Sequence, residues 1–161
     1  MSTVASRIPA VIDALVSTWK AAGITVWDGP VPTDDYRAAI FVGYDAAGVE
    51  TSSWSAATSR HSEWGPIGNR ARDEEFSIVC AAVALGDGVT SKSARDAAFA
   101  LVNSADTAIR PRPADPSLGL LSGVAPYLVA AIRVEDFFQE PTENAGPQAR
   151  VTFAVDVKTR I

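Results

Sequence analysis

The chain has 161 residues, 47% of them hydrophobic and 20% charged, proportions that exclude intrinsic disorder and suit one folded domain, residues 1–161. Fourteen Lys and Arg against 19 Asp and Glu leave a net charge of −5, which disfavours general nucleic-acid binding, since that needs a basic face to neutralise phosphates. The longest apolar stretch, 124–132, has nine residues and contains Pro126, whereas a membrane-spanning helix needs about 20; we expect a soluble protein without a membrane contact.

In chain order, residues 4–22 read as an amphipathic helix. Ile8, Val11, Ile12, Leu15, Val16 and Trp19 recur at three- and four-residue spacing, with Arg7, Asp13, Ser17 and Lys20 elsewhere. Asp13 interrupts the apolar residues, so this opening fits a secretory signal poorly. Pro9 belongs in a first turn, where its missing N–H has no helical partner, and Gly23 is placed to end the helix in a left-handed conformation. Short strands are expected at 24–28 and 38–44, separated by Gly29-Pro30 and Pro32.

Residues 45–72 carry no sustained period and are rich in Gly, Ser, Thr and Ala. We expect one long loop, and loops of this length in compact domains tend to be functional. It holds Trp54, Arg60, His61, Trp64, Arg70 and Arg72. Two tryptophans in a polar loop either fold back on the core or are covered by a partner, and the sequence leaves both open.

Residues 75–85 read as a strand with Phe76, Ile78, Cys80 and Ala82 on one face. The other face, Val79, Ala81 and Val83, is apolar and small, as though something packs closely there. Cys80 is the only cysteine; it excludes an intramolecular disulfide, fits a reducing compartment and reads as a small core side chain. A second helix is expected at 90–110, with Thr90 or Ser93 as N-cap, Asp96 in the first turn, and a stripe of Ala94, Ala97, Ala98, Leu101, Val102, Ala105 and Ile109. So many alanines imply close approach to a sheet. Pro111, Pro113 and Pro116 stop it.

The last third alternates apolar and polar residues over 128–138 and again over 150–158, with a polar hinge at 140–147 between them. Two such runs suggest an antiparallel pair. The fold class is α+β, a mainly antiparallel sheet with two principal helices on one face.

Nothing in the sequence assembles a catalytic constellation. His61 is the only histidine, its neighbours Ser59 and Ser62 form no nucleophile elbow, and it reads as a solvated or interface residue. No spacing suggests a metal site, and the glycine pairs around Asp87 and Pro66 lack the residues of a phosphate loop, so no cofactor is expected. The carboxylates at Asp34-Asp35, Asp73-Glu74-Glu75, Glu135-Asp136 and Glu140 with Glu143 read as solvated strand ends that discourage unwanted edge pairing.

Three stretches carry a resemblance. Arg7-Ile8-Pro9-Ala10-Val11-Ile12-Asp13-Ala14-Leu15 followed by Val26-Trp27-Asp28-Gly29-Pro30, then Trp64-Gly65-Pro66-Ile67-Gly68 through Arg72-Asp73-Glu74-Glu75-Phe76-Ser77-Ile78, and finally Gln148-Ala149-Arg150-Val151-Thr152-Phe153-Ala154-Val155-Asp156-Val157, resemble tail terminator proteins of long-tailed (siphovirus) actinobacteriophages. The likeness rests on pattern and order and covers most of the chain. It implies a fold related to the tail tube, and a hexameric ring in the virion on the head-proximal end of a finished tube. Such a ring, assembled in the host cytoplasm, stops tube polymerisation and presents a joining surface to neck or head-completion proteins. DNA would pass its lumen without specific binding, which a net-acidic subunit suits.

Within that resemblance, 45–72 is the candidate contact with a neighbouring subunit. Trp54 and Trp64 would serve as anchors, and Arg60, Arg70 and Arg72 would pair with carboxylates such as Glu140 and Glu143, with His61 beside them. The nearest alternatives are a tail tube subunit or a neck (head–tail) adaptor ring. A different class of alternative is a monomeric ligand-binding module that uses the loop tryptophans as a stacking platform; an enzyme built on His61 comes third.

Overall fold

A computed structural model describes residues 5–30, 37–46, 55–64, 72–86, 90–110, 128–142 and 146–161. The described elements run α1 (Ile8–Ala21), β1 (Val26–Asp28), β2 (Ala38–Val42), β3 (Ala57–Trp64), β4 (Arg72–Leu85), α2 (Ser91–Ile109), β5 (Val129–Thr142) and β6 (Gly146–Arg160). This is an α+β fold: six strands form one sheet, mostly antiparallel, with both helices packed against it.

Each helix forms where its apolar spacing and end signals agree. Pro9 lies in the first turn of α1. Beyond its last turn, Gly23 takes φ +82°, its N–H bonds the Lys20 carbonyl, and the Ile24 N–H reaches back to the Trp19 carbonyl. That pair of bonds satisfies carbonyls the helix itself leaves open, and Ile24 and Trp19 are both buried beside it. Helix α2 starts after the extended Thr90, whose side chain makes no cap bond; the Ser93 hydroxyl instead donates to the Thr90 carbonyl at 2.9 Å. Asp96 falls in the second turn and pairs with Lys92 one turn back, not with the helix N-terminus.

The sheet order is β1-β2-β4-β6-β5. Strands β4, β6 and β5 pair antiparallel in that order, β5 and β6 as a hairpin reached from β4 by a crossover through α2, and β1 joins β2 in parallel. Ile78, Cys80, Ala82 and Ala84 of β4 and Val151, Phe153 and Val155 of β6 face the helices and are fully buried. Against them pack Val11, Leu15 and Trp19 from α1 and Ala94, Ala98, Val102, Ala105 and Ile109 from α2. The alanines on both layers let helix and strand backbones approach closely. Trp19 meets Phe153 edge-on, with ring centroids 6.2 Å apart, and its indole N–H donates to the Ala105 carbonyl at 3.0 Å, so the largest core side chain ties both helices to the sheet.

Two expectations are corrected here. The stretch 45–72 is not one loop, because β3 occupies 57–64 and pairs with β4 from Ala57 opposite Ile78 to Trp64 opposite Arg72. Its residues are polar on both faces, so no hydrophobic period marks it; β4's open edge makes it a strand. Likewise 140–147 is not a hinge throughout, since Glu140 pairs with Gln148, Pro141 with Pro147 and Thr142 with Gly146.

β2 and β3 share one edge of β4, laid end to end and running the same way. Their junction sits opposite Val79, whose carbonyl accepts from the Gly43 N–H at 2.7 Å and whose N–H donates to the Ala56 carbonyl at 3.0 Å. The two form one edge strand from which the chain departs after Gly43 and to which it returns at Ala56. Gly43 has φ +72°, a conformation that side chains with a Cβ rarely adopt, so the departure point favours glycine.

Candidate subunit interface

The sheet has open edges on both sides among the described residues: β5 on one, and β3 followed by β1 on the other. They differ in chemistry. Of the five large hydrophobic side chains exposed among the described residues, four lie on β5: Val129 (59%), Val134 (48%), Phe137 (38%) and Phe138 (39%). Phe137 leans on Phe99 of α2, centroids 5.4 Å apart, and Phe138 lies under the Arg150 guanidinium at 4.2 Å. The opposite edge strand β3 presents Thr58, Ser59, Arg60 and His61, all exposed.

Strand β5 also carries a bulge at Glu135, between Val134 opposite Phe153 and Asp136 opposite Thr152. The extra residue shifts the alternation, so Phe137 falls on the helix side and Asp136, Phe138 and Glu140 on the other. An alternation read through 128–138 without that bulge puts these side chains on the wrong faces.

The face away from the helices divides in two. At one end it is closed: Ala39, Phe41, Ala81, Val83 and Ala154 are buried, with Tyr44 edge-on to Phe41 at 5.9 Å. Arg150, itself buried, stitches this region together. Its Nη1 donates to the Asp45 carbonyl at 3.0 Å, and its Nη2 lies 3.6 Å from Glu140. At the other end the same face is a ladder of ion pairs: Lys158 with Glu75 at 2.8 Å, Arg160 with Asp73 at 3.0 Å, and Arg133 with Asp156 at 2.9 Å. The Asp156 carboxylate also accepts from the Ser77 hydroxyl at 2.5 Å. Arg133 first, and Ser77 in addition, hold the Asp156 carboxyl below the usual carboxylate range, against partial burial. Burial pushes the Cys80 thiol up to about 12, opposed by a hydrogen bond to the Gly43 backbone.

The structure brings only part of the expected site together. Arg60 and His61 stand on β3, with Arg60 opposite Glu75 and His61 opposite Glu74. Trp64 and Arg72 face each other across the β3–β4 ladder, where the register shifts; their side chains lie outside the described structure. Trp54, Arg70 and Glu143 lie outside the described residues. Glu140 is on β5, beyond two intervening strands from Arg60, and its nearest basic partner is Arg150 of its own chain.

The reading of the carboxylate runs as solvated strand ends is also corrected. Glu74 is fully buried rather than a solvated strand end. Its two oxygens accept from the Ser6 hydroxyl at 2.5 Å and the Arg7 N–H at 2.8 Å, so a strand residue satisfies the N-terminal approach to α1, which has no side-chain cap of its own. Glu135-Asp136 lies in the middle of β5, at its bulge. Sequence reasoning missed Glu74, Arg150 and the exposed β5 residues. Only the adjacent pair Phe137-Phe138, which cannot both face one core, carried a local signal. Among the described residues, no three His, Cys, Asp or Glu side chains gather where they could hold a metal ion, and no helix is long and apolar enough to cross a membrane.

No protein-family model matches the chain, and a search of curated proteins finds no similar sequence.

Proposed function

We propose that this chain is a non-enzymatic structural subunit of a phage tail: a tail terminator that closes into a hexameric ring on the head-proximal end of the tail tube. There it would stop tube polymerisation and give the neck or head-completion proteins a surface to join, with DNA passing through the lumen unbound. The single observation that supports this reading most is the pair of unlike open edges on one sheet, the apolar residues being concentrated on β5. Exposed apolar edge strands are an aggregation hazard in a free monomer. Two different surfaces on opposite sides of a subunit make a head-to-tail contact, which yields a ring when the rotation closes and a filament when it does not. The number six and the place in the virion come from the sequence resemblance.

Light scattering across a concentration series, with negative-stain images of any large species, tests it. A discrete ring of about six subunits is expected. Long tubes would point to a tube subunit instead, and a monomer at every concentration would count against the ring.

A further inference from the structure

Resting on that ring reading, we propose that β5 of one copy pairs antiparallel with β3 of the next, with Asp136 set against Arg60. Charge decides the partners. On β5, Glu135 is held by Arg133 at 2.9 Å and Glu140 lies against Arg150. Across the ladder face, Asp73, Glu75 and Asp156 have Arg160, Lys158 and Arg133. Among the charged side chains described on β3 and β5, Arg60 and Asp136 alone have no ion pair to another described residue; both are exposed, and their charges are opposite. Each sits on a strand that has no further strand on its outer side among the described residues.

Direction and face agree with this pairing. Strand direction alternates at every step from β3 through β4 and β6 to β5, so a copy added by rotation presents its β3 antiparallel to β5. Arg60 and Thr58 lie opposite Glu75 and Ser77, on the face away from the helices; Asp136 and Phe138 lie opposite Thr152 and Arg150, on that same face. Setting Asp136 against Arg60 therefore sets Phe138 against Thr58, and every side chain keeps its face. Within one copy Thr58 is level with Ala131, by way of Ser77 and Asp156. The slide from Ala131 to Phe138 along β5 is the kind of stagger that a closing sheet requires.

Charge exchange tests the pairing in the full chain. Arg60→Glu and Asp136→Arg each place like charges across the junction and should raise the half-assembly concentration about tenfold or more, while the double exchange should restore it. Melting curves taken below the assembly concentration should show both variants cooperatively folded, with Arg60→Glu slightly lowered because it then faces Glu75. A second test is Thr58→Cys with Phe138→Cys. Within one chain two strands separate these positions by about 14 Å or more, too far for a disulfide, and Cys80 is buried with a raised pKa. Mild oxidation should give a covalent ladder ending at the ring. Rings that form equally in both single variants, a double exchange that restores nothing, or rings without cross-links would overturn the pairing and leave the ring reading standing. A parent chain that stays monomeric would overturn both.

Discussion

Strand β4 passes through two environments, and the contrast lies on its face away from the helices. From Asp73 to Ser77 that face is a row of charged and hydroxyl side chains tied to β6 by ion pairs. From Ala81 to Val83 it is small, apolar and wholly buried, with Phe41 and Tyr44 nearby. Backbone pairing with β6 continues without interruption through both halves. The ladder therefore does not decide what is core; side-chain size and polarity on alternate positions do. One strand serves as a two-sided core element at one end and a solvent-facing sheet at the other.

The sharpest way to break that contrast is to put the same charge in both halves. Ala81→Glu would bury an unpaired carboxylate against Phe41 and Val83 and should cost several kcal/mol, a large share of an ordinary domain's stability. Glu75→Ala, on the same face of the same strand, should stay within about 1 kcal/mol because its ion pair is exposed. Denaturant unfolding of both variants measures the difference, and equal losses would refute the division.

An intermediate effect is expected from Glu74, the buried carboxylate in the polar half. Glu74→Ala leaves the Ser6 hydroxyl and the Arg7 N–H without their acceptor and should cost about 1–3 kcal/mol. Hydrogen exchange should then accelerate first at the N-terminal turn of α1, while the middle of β4 stays protected. Uniform loosening would show that Glu74 supports the sheet rather than the helix.

The smallest effect is a pH dependence in the ladder. Asp156 titrates below the usual carboxylate range in the folded chain, so its contribution is present above an unfolded value of about 3.9 and is lost as pH falls through the folded value. Asp156→Asn should leave the chain slightly less stable at pH 7, and the difference should shrink as the pH falls through the lowered folded value. Carboxyl NMR titration of the parent locates the folded midpoint; a normal value would remove the pairing with Arg133 from the account.

The sequence made one half of this contrast readable and hid the other. Val11, Leu15 and Trp19, the alanine stripe of α2, and Val151, Phe153 and Val155 announce their faces by period, so the fold class, both helices and the central strands could be read directly. β3 could not, because Thr58, Ser59, Arg60, His61 and Ser62 carry no period of two; only the vacant edge of β4 makes that segment a strand. Glu74 and Arg150 look like surface residues from their types, and their burial depends on Ser6, Arg7 and Asp45, far away in sequence. Of the residues expected at an interface, Arg60 and His61 stand exposed on β3. The apolar contribution of β5 escaped notice because alternation reports which face a side chain takes, not whether a strand ends the sheet.

The junction opposite Val79 has a consequence for variation. The chain leaves the sheet at Gly43 and resumes it at Ala56, with both sides of the gap fastened to the same residue. Tyr44 and Asp45 belong to the closed face through Phe41 and Arg150; beyond them a change of length or composition leaves Cys80 facing Val42 and Ile78 facing Ala57. The fold thus offers a cassette position: a graft between 47 and 54, which spares Tyr44, Asp45 and Ala46, should be accommodated without disturbing the register on either side, which makes this the place to install a tag or exchange a recognition element.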